Sequence, residues 1–381
     1  MGNIKLNRVA LYGNLFLFFI TGIVLIFVCT GCDKNKEQTE KVDNKNVNII
    51  ISDQNDGYIN LLSLDYHKKT NSVFGLYKGM QTNMLDYYYR LFLSPPISFA
   101  IYGKRGQGPE EFKNPPICLR VFDPFVMVIS FYTIKIFDLN GNFIKNINNI
   151  PLYPEDFYFE NGRLTLLRLM SDIRQLSEQS KCFVEYDISE KTITKAITFK
   201  KIYEGFRKNG IDLKKTKNHF IGGKVLNSNV AVLCASHKKF HRNGFLVLNL
   251  NRNKVTFCKA PHRFKYYAFS FCPGIFRSAC NKHCFFVVEY QLNIPFYKKL
   301  PRSKLNKMFY KRKKPPMICI HRINENGKEI GSYIFNWYKK GMVNIYISEL
   351  IEITPDKFVV FVSVSNRDKT NNELVLLWSV K

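Results

Sequence analysis

The sequence predicts an all-β fold, and three features of the chain lead to that prediction. The 381 residues include 33 Phe and 21 Tyr, and such a content of aromatic residues favours strands over helices. Windows with the Ala-rich and Leu-rich periodicity of a helix are nearly absent. Short runs that alternate between apolar and polar residues recur along the chain and are separated by polar turns. The hydrophobic content of 46% is sufficient to build a core.

The clearest alternating run extends from Met127 to Ile147, where two strands flank the turn Asp138-Leu139-Asn140-Gly141. Comparable strand pairs are predicted at Cys182–Phe199, Gly244–Ala260, Ile318–Phe335, more weakly at Ile59–Tyr77, and at Asp356–Val380 at the end of the chain. A further pair precedes some of these hairpins, as at Asp156–Leu169 and His219–Ser236. Repetition of one hairpin unit indicates a repeat architecture.

The spacing of the turns favours a ring of similar sheets. With Asp65, Asp138, Asp187, Asn249 and Asn324 taken as turn markers, the intervals are 73, 49, 62 and 75 residues. Intervals of this length fit four-stranded antiparallel blades with insertions, so we predict a six-bladed β-propeller over residues 47–381. A two-sheet sandwich is the structural alternative, and it explains the recurrence of the hairpins less well.

The N-terminal segment has the pattern of an export signal. Lys5 and Arg8 provide positive charge ahead of an apolar stretch from Leu15 to Val28, and small residues follow before Cys32. The segment Cys29-Thr30-Gly31-Cys32 resembles the lipobox of bacterial lipoproteins, with Cys29 where leucine is usual. We therefore predict a signal peptide at residues 1–31 and lipidation of Cys32; an uncleaved membrane anchor is the alternative.

Residues 32–46 are polar, and this composition predicts a flexible tether between the lipid and the folded domain. The expected location is therefore the envelope of a Gram-negative cell, attached to its outer membrane on either the periplasmic side or the surface side. The membrane, through the N-terminal lipid, is the first expected partner.

A glycine-rich segment, Tyr102–Pro116, lies between an extended stretch and the clearest hairpin. It lacks the Lys-Ser or Lys-Thr pair and the following helix of a phosphate-binding loop, and the neighbouring acids Glu110 and Glu111 would point in opposite directions on an extended chain. We interpret it as a structural loop between blades, formed by Gly103, Gly106, Gly108, Pro109 and Phe112. The glycines permit positive φ, and Phe112 is expected to be buried as an anchor.

Together with the hairpin that follows, this segment resembles bacterial six-bladed β-propeller lipoproteins of the TolB-like family. In that family a G-x-x-G-x-G-P-x-E-F stretch leads into a blade that ends in an F-D-x-x-G hairpin. The match extends over about Ser98–Ile147, and Glu110 stands where a glycine is common. The resemblance implies a six-bladed propeller on a lipidated tether and implies no particular reaction.

The formal net charge of +27 raises the question of an anionic partner. Lysine is abundant along the whole chain, so the charge is mostly a general feature of composition. The one dense basic run is Lys298–Pro316, in which Lys311, Arg312, Lys313 and Lys314 form a candidate anion-binding patch. No nucleic-acid-binding module surrounds this run, so an acidic glycan is a better candidate for its partner than nucleic acid.

Eight cysteines remain after Cys32, and most lie singly within apolar runs, which favours buried free thiols. Cys272, Cys280, His283 and Cys284 are close together in sequence, but their spacing matches no standard zinc pattern. A local disulfide among these cysteines is an alternative. We therefore predict no bound metal and no other cofactor.

The sequence contains no G-x-S-x-G elbow, no H-E-x-x-H motif and no compact His/Asp/Glu cluster. We therefore expect a non-catalytic propeller that serves as a scaffold or binds a protein, peptide or glycan. The alternative is a hydrolase or lactonase with a divalent metal in the central channel, for which Asp156, Glu185 and Glu289 are candidates. Each of these acids is more readily explained as a turn residue or a solvated residue.

Overall fold

The computed structural model describes residues 47–53, 60–78, 87–93, 98–102, 108, 110–114, 116–168, 176–213, 221–235, 244–264, 267–269, 275–291, 317–337, 341–366 and 371–380. Within these ranges the chain is built from antiparallel strands, with one helix. The all-β prediction is confirmed.

The described strands form sheets that follow one another along the chain. The first strand, β1 (Val47–Asp53), belongs to the last sheet. Sheet 1 contains β2 (Asn60–His67), β3 (Ser72–Lys78), β4 (Tyr87–Phe92) and β5 (Ser98–Tyr102). Sheet 2 contains β6 (Cys118–Phe122), β7 (Phe125–Ser130), β8 (Thr133–Asp138) and β9 (Phe143–Ile147). Sheet 3 contains β10 (Pro154–Glu160), β11 (Arg163–Arg168), β12 (Lys181–Asp187) and β13 (Thr192–Thr198).

Helix α1 (Phe199–Arg207) connects sheet 3 to sheet 4. Sheet 4 contains β14 (Ile221–Val225), β15 (Val230–Ala235), β16 (Gly244–Asn249) and β17 (Lys254–Lys259). Sheet 5 contains β18 (Tyr267–Phe269), β19 (Ile275–Arg277), β20 (Cys284–Gln291), β21 (Ile318–Asn324) and β22 (Glu329–Phe335). Sheet 6 contains β23 (Met342–Thr354), β24 (Lys357–Asn366) and β25 (Asn371–Ser379), completed by β1.

The sheets are arranged as the blades of a β-propeller. In sheets 1 to 4, strands that follow one another in sequence are neighbours, so each of these sheets is an antiparallel meander. In sheet 5 both β18 and β19 pair with β20, and in sheet 6 β1 pairs with β25. The inner strand of each sheet contacts the inner strand of the next: β2 contacts β6, β6 contacts β10, β10 contacts β14, β14 contacts β19, β19 contacts β23, and β23 contacts β2. Propeller blades surround a central axis in this way, and the alternative of a two-sheet sandwich does not fit this arrangement of sheets.

Buried apolar side chains fill the space between neighbouring sheets. Leu64 and Val359 belong to the cluster between sheets 1 and 6, whereas Phe74 and Val126 belong to the cluster between sheets 1 and 2. Equivalent clusters lie between sheets 2 and 3, sheets 3 and 4, sheets 4 and 5, and sheets 5 and 6. Each sheet is therefore covered on both faces, as expected for a repeat that cannot bury its faces alone.

Sheet 5 departs from the four-stranded pattern predicted for the blades. Two short strands, β18 and β19, lie on the same side of β20: β18 pairs with Glu289–Gln291, and β19 pairs with Phe285–Val287. Together they occupy the position that a single inner strand has in the other sheets. The fifth strand is therefore an interruption of the inner strand and adds no width to the sheet.

The two ends of the described chain meet in sheet 6. Strand β1 pairs antiparallel with β25, with Val47 opposite Trp378 and Asp53 opposite Glu373. This pairing covers the outer edge of the last sheet with the first strand of the domain, so strands that are distant in sequence close the ring.

Asx side chains stabilise most of the predicted turns. Asp138 accepts hydrogen bonds from the amides of Asn140 and Asn142, and Asn324 accepts them from Asn326 and Lys328. Asp187 and Asn249 act in the same way at the corresponding turns of sheets 3 and 4. The marker Asp65 was wrong as a turn residue. It lies within β2, and the turn after β2 begins at residue 68.

Helix α1 is short and amphipathic. Its buried residues are Phe199, Ile202, Tyr203 and Phe206, which recur at the spacing of one helical face and join the core between sheets 3 and 4. Across the described ranges, no helix combines the length and the apolar content needed to cross a membrane.

Candidate functional site

The inner strands bring charged side chains together at the centre of the ring. We call this group the axial cluster; its members are Asp65 of β2, Cys118 and Arg120 of β6, Glu155 and Asp156 of β10, Lys224 of β14 and Glu349 of β23. They come from sheets 1, 2, 3, 4 and 6. Pairs within the cluster join sheets that are not adjacent, such as the ion pair between Lys224 and Glu349, so the cluster lies across the axis.

A β-bulge explains how two neighbouring acids both reach this cluster. In a regular strand, Glu155 and Asp156 would point to opposite faces. Pro154 pairs with Arg168 and Asp156 pairs with Leu167, so the pairing leaves Glu155 as an extra residue. The bulge reorients β10 locally, and Glu155 and Asp156 both accept hydrogen bonds from the backbone of β14.

Asp156 and Arg120 form the most completely hydrogen-bonded part of the cluster. Asp156 accepts a hydrogen bond from the amide of Val225 at 2.7 Å, and Arg120 Nε lies 3.6 Å from Asp156 Oδ1. The guanidinium of Arg120 also donates to the carbonyl oxygens of Phe157, at 2.8 Å, and of Val225. Asp156 and Arg120 are both buried. Arg120 therefore links sheets 2, 3 and 4 at their inner edges.

The thiol of Cys118 completes this arrangement. Burial raises the pKa of Cys118 well above its ordinary value, and the nearby carboxylate of Asp156 adds to the effect. The thiol therefore stays protonated and donates to Asp156 Oδ1 at 3.0 Å. This cysteine is a hydrogen-bond donor in the cluster, and its environment does not activate it as a nucleophile.

Lys224 is the second cation of the cluster. Its Nζ lies 3.7 Å from Glu349 Oε2, and both side chains are buried. Burial alone would lower the pKa of Lys224, but Glu349, Asp156 and Glu155 raise it above its ordinary value. Lys224 is therefore charged and is surrounded by carboxyl groups.

The acids around Lys224 bind protons more tightly than usual. Burial raises the pKa of Glu155 to about 8 and that of Glu349 to about 7, even though Lys224 opposes both shifts. Burial also raises the pKa of Asp65, which accepts hydrogen bonds from the amides of Tyr66 and Val121. Glu155 Oε1 accepts a hydrogen bond from the amide of Gly223 at 2.9 Å, while its Oε2 is buried with no hydrogen-bond partner. The cluster can hold or release protons near neutral pH.

A second polar cluster lies between sheets 4 and 5. Glu289 and Cys319 are directly opposite one another on β20 and β21, and His321 lies two residues further along β21, on the same face. We call these three residues the buried triad, because Glu289 and Cys319 are 0% exposed and His321 is 2% exposed. Their potential ligand atoms lie within 4.8 Å of one another, the only such group of metal-ligating side chains in the described ranges.

Hydrogen bonds fix the imidazole of the buried triad on both sides. His321 Nε2 lies 2.9 Å from Glu289 Oε2, and Nδ1 lies 2.7 Å from Oε1 of Glu329 on β22. Glu289 also accepts hydrogen bonds from the amides of Arg263 and Phe264. Burial alone would lower the pKa of His321, but its bonds to Cys319, Glu289 and Glu329 raise it to about 10.

A polar cleft of about 380 Å³ lies at the boundary between sheets 3 and 4. Its lining residues are all polar or charged: Glu160, Asn161, Arg163, Glu185, Lys195, Ser228, Asn229 and Asn251. Glu185 is held at the wall of the cleft by Arg163 and Lys195, at 3.5 and 3.3 Å, and by the hydroxyl of Thr194. The cleft offers donors, acceptors and both signs of charge to a polar ligand.

The three acids that the sequence offered for a channel-bound metal lie in separate places. Asp156 belongs to the axial cluster, Glu185 to the polar cleft and Glu289 to the buried triad. All three are buried, so the expectation of turn or solvated residues was wrong for each. Their polar partners explain the burial, since each carboxylate has backbone, hydroxyl or cationic partners.

The structural loop between blades is only partly described. Gly103, Gly106 and Pro109 lie outside the described residues, as do Cys32 and the basic patch Lys311, Arg312, Lys313 and Lys314. The loop connects β5 of sheet 1 to β6 of sheet 2. Phe112 is 0% exposed, and its ring lies 6.1 Å from that of Phe137.

The acids of this loop have different environments. The amide of Gly108 donates to Glu111 Oε2 at 2.9 Å, whereas Glu110 is exposed. Gly108 is not among the residues with positive φ, so its role differs from the one we expected. A Cβ at Gly108 would lie 3.3 Å from Glu111 Oε2, so a larger residue here would require a small shift of the Glu111 side chain.

The group of cysteines around His283 does not form a metal site in the described residues. Cys280 is exposed, Cys284 is buried, and His283 pairs with Glu325 at 2.7 Å; Cys272 lies outside the described residues. Cys280 and Cys284 are free thiols, as are Cys118, Cys182, Cys234, Cys258 and Cys319. Of the cysteines expected to be buried free thiols, Cys118, Cys182 and Cys319 are buried, whereas Cys234 and Cys258 are half-buried.

Sequence reasoning missed the axial cluster and the buried triad. Both are assembled from strands that are far apart in sequence, and no short motif marks either one. A usable signal was present in the strands themselves: Arg120, Lys224 and Glu349 are charged residues within otherwise apolar runs. A charge at a core position has to find a partner, and charges that interrupt several strands can meet at the axis of a propeller.

Comparison with known proteins yields structural similarities only. No family model and no curated protein matches the sequence. A solved member of the DUF4221 family from Bacteroides vulgatus is 9% identical and covers 88% of this chain and 99% of its own, with a TM-score of 0.49. An oligogalacturonate lyase in complex with manganese is 10% identical and covers 85% of this chain and 90% of its own, with a TM-score of 0.44. The WD40 domain of Neurospora crassa Pan2 is 11% identical, with the same coverages and a TM-score of 0.38.

At these identities and TM-scores, the similarities do not extend to function, and the propeller assignment depends on the sheet topology of the chain itself.

Proposed function

We propose that this chain is a lipid-anchored, six-bladed β-propeller that binds a protein, peptide or glycan without catalysing a reaction. The six-blade count is supported by the contacts between successive inner strands and by the apolar clusters between successive sheets. The resemblance of Gly103–Phe112 to TolB-like propeller lipoproteins supports the same count. The anchor depends on the sequence of residues 1–46.

The observation that carries the non-catalytic assignment is the composition of the axial cluster. A divalent cation in the channel would need several oxygen ligands that are free to coordinate it. Here Glu349 has the Lys224 ammonium as its partner at 3.7 Å, and Asp156 is bonded to Val225, Cys118 and Arg120. A divalent cation would have to overcome repulsion from Lys224 and Arg120. The axis therefore serves to join the sheets, and ligand binding falls to the faces of the propeller.

The polar cleft is the proposed binding surface. It is open to solvent and lies at the turns of sheets 3 and 4, and its lining carries amide, hydroxyl, carboxylate and cationic groups. Such a lining can exchange hydrogen bonds with the hydroxyl groups of a glycan or with the backbone of a peptide. The basic run at Lys311–Lys314 adds a candidate contact for an acidic glycan, with a salt-dependent affinity.

Blocking the cleft tests this function. Asn251 is exposed in the turn between β16 and β17, and Asn140 is exposed in the equivalent turn of sheet 2. We expect Asn251→Trp to abolish saturable binding of the purified full chain on glycan and peptide arrays, while Asn140→Trp preserves it. Equal binding by both variants would show that the ligand binds outside the cleft.

The alternative hydrolase or lactonase is tested with the same protein. Ester and lactone substrates should show no turnover above the uncatalysed rate. If turnover is observed, and is lost in Glu155→Gln but retained in Glu190→Gln, the protein is an enzyme with a catalytic acid in the axial cluster, and the non-catalytic proposal is wrong. The anchor is tested by Cys32→Ala, which should release the chain from the membrane fraction or stall its processing.

A further inference from the structure

We propose that the buried triad of Glu289, Cys319 and His321 is a zinc site within sheet 5, on the face that packs against sheet 4. The three side chains lie on one face of two paired strands, and the site is therefore built from rigid elements. It lies outside the axis and is distinct from the Cys272–Cys284 region that the sequence suggested. The site is independent of the proposed binding function.

The donor set selects the metal. A thiolate, an imidazole and a carboxylate are all ligands of Zn²⁺, and a thiolate disfavours Mg²⁺ and Ca²⁺. The donor atoms lie within 4.8 Å of one another, and donors around a tetrahedral zinc lie about 3.3–3.8 Å apart. The longest separation would have to close by about 1 Å. The 2.9 Å separation between His321 Nε2 and Glu289 Oε2 would have to widen by about 0.4 Å to place three ligands on one ion. A water fills the fourth position.

The surroundings of the triad match those of a zinc-binding histidine. Such a histidine generally donates its second ring N–H to a carboxylate or carbonyl, which fixes the tautomer. Here Nδ1 of His321 lies 2.7 Å from Glu329 Oε1, which leaves Nε2 directed at Glu289 and the site. The amides of Arg263 and Phe264 orient the Glu289 carboxylate in the same way. The second shell of a metal site is therefore present.

Charge balance also permits the ion. Without metal, both ring nitrogens of His321 face carboxylates, so the triad consists of an imidazolium, a thiol and a carboxylate, with no net charge. Zn²⁺ would replace the proton on His321 Nε2 and the proton on the Cys319 thiol. The resulting set of Zn²⁺, neutral imidazole, thiolate and carboxylate again has no net charge, so metal binding adds no uncompensated charge to a buried position.

The test measures metal in the full chain. After purification without chelators, elemental analysis should find one zinc per chain, and Cys319→Ser and His321→Gln should each lower this content at least tenfold. Cys284→Ser is the matched control, because Cys284 is also a buried free thiol on β20 and is not part of the triad. Glu329→Gln should retain the stoichiometry and weaken affinity by about 10- to 100-fold.

A spectroscopic measurement keeps the test decisive if a variant fails to fold. Co²⁺ bound in place of zinc should give the charge-transfer absorption of a cobalt–thiolate bond in the wild-type chain and in Cys284→Ser, and Glu289→Gln should weaken it. A wild-type chain that is metal-free as purified and takes up neither Zn²⁺ nor Co²⁺ would overturn the proposal. The triad would then be an imidazolium held between Glu289 and Glu329. Uptake without the charge-transfer band would also overturn it, because the ion would be bound elsewhere.

Discussion

Asp156 is the residue on which the hydrogen bonds of the axial cluster converge. It lies between the guanidinium of Arg120, the thiol of Cys118 and the amide of Val225, and it is 1% exposed. A buried guanidinium needs a nearby negative charge, since its desolvation is not repaid by carbonyl oxygens alone. Asp156 supplies that charge to the point where sheets 2, 3 and 4 meet.

We therefore predict that Asp156→Asn lowers the free energy of unfolding by about 3 kcal/mol at neutral pH. The amide side chain keeps the size of the residue and an acceptor for Val225, but Arg120 loses its charged partner. Urea denaturation followed by circular dichroism measures the change. Glu190→Gln, an exposed turn residue, should change stability by less than about 0.5 kcal/mol. A loss below about 1 kcal/mol in Asp156→Asn would mean that the carbonyl oxygens of Phe157 and Val225 are sufficient partners for Arg120.

The same residues show why the site could not be predicted from the sequence. Alternation along a strand predicts that neighbouring acids point apart, and this argument excluded paired acids at Glu110 and Glu111. At Glu155 and Asp156 the argument fails, because a bulge in the pairing of β10 with β11 brings both acids to β14. The position of a bulge depends on the neighbouring strand, and the local sequence does not contain it.

At the scale of elements, the turn between β21 and β22 shows how closely neighbouring sheets pack. Gly327 lies in this turn at the edge of sheet 5, with φ of +81°. A Cβ at this position would overlap the sulfur of Cys258 on β17 of sheet 4. Glycine is therefore required here for two reasons, its left-handed backbone and the contact with the next sheet.

Three glycine substitutions separate these two requirements. Gly327→Ala should be the most destabilising, by about 2–4 kcal/mol, because backbone strain and overpacking add. Gly162→Ala introduces backbone strain alone, because Gly162 has φ of +74° and open space around the position of a Cβ. It should lower the free energy of unfolding by about 1 kcal/mol. Gly331→Ala has neither and should be neutral or stabilising.

Thermal unfolding of the three variants provides the ranking. Equal losses in Gly327→Ala and Gly162→Ala would show that sheets 4 and 5 can separate at this turn without cost. The double variant Gly327→Ala with Cys258→Ala should recover part of the loss, because it removes the sulfur that the new methyl group meets.

Elements were more predictable than the site because their signals are local. The hairpins at Met127–Ile147 and Gly244–Ala260 follow from alternation and Asx turns, which need no distant partner. The interrupted inner strand of sheet 5 was not predictable, since β18 and β19 are each three residues long and show no periodicity. Asp65 looked like a turn residue because aspartate favours turns, but in β2 its carboxylate is satisfied by two amides.

At the scale of the whole molecule, the ionisable groups with raised pKa values set the pH dependence of stability. Glu155 and Glu349 ionise below pH 5 in the unfolded chain and at about 8 and about 7 in the folded one. Between these values the folded state binds more protons, so the free energy of unfolding falls as pH rises. His321 acts in the same direction, from its ordinary value of about 6.5 to about 10. Groups with lowered pKa values have the opposite effect. The Ser189 hydroxyl and turn amides hold the pKa of Asp187 below its ordinary value, so the stability that the ionised Asp187 adds is lost on acidification.

We therefore predict that the metal-free chain is most stable at mildly acidic pH and loses stability steadily from about pH 5 to about pH 9. A difference of one between a folded and an unfolded pKa corresponds to about 1.4 kcal/mol, so even part of these differences produces a loss of several kcal/mol. Glu155→Gln isolates the contribution of Glu155. The free energy of unfolding of this variant should equal that of wild type at pH 5 and exceed it at pH 8, so it should fall less steeply between these pH values. Urea denaturation at a series of pH values in the presence of a chelator measures this slope, with Glu190→Gln as the matched control. A wild-type stability that rises between pH 5 and pH 8 would contradict the burial of protonated carboxyl groups at the axis, because ionised carboxylates paired with Lys224 and Arg120 would produce that opposite slope.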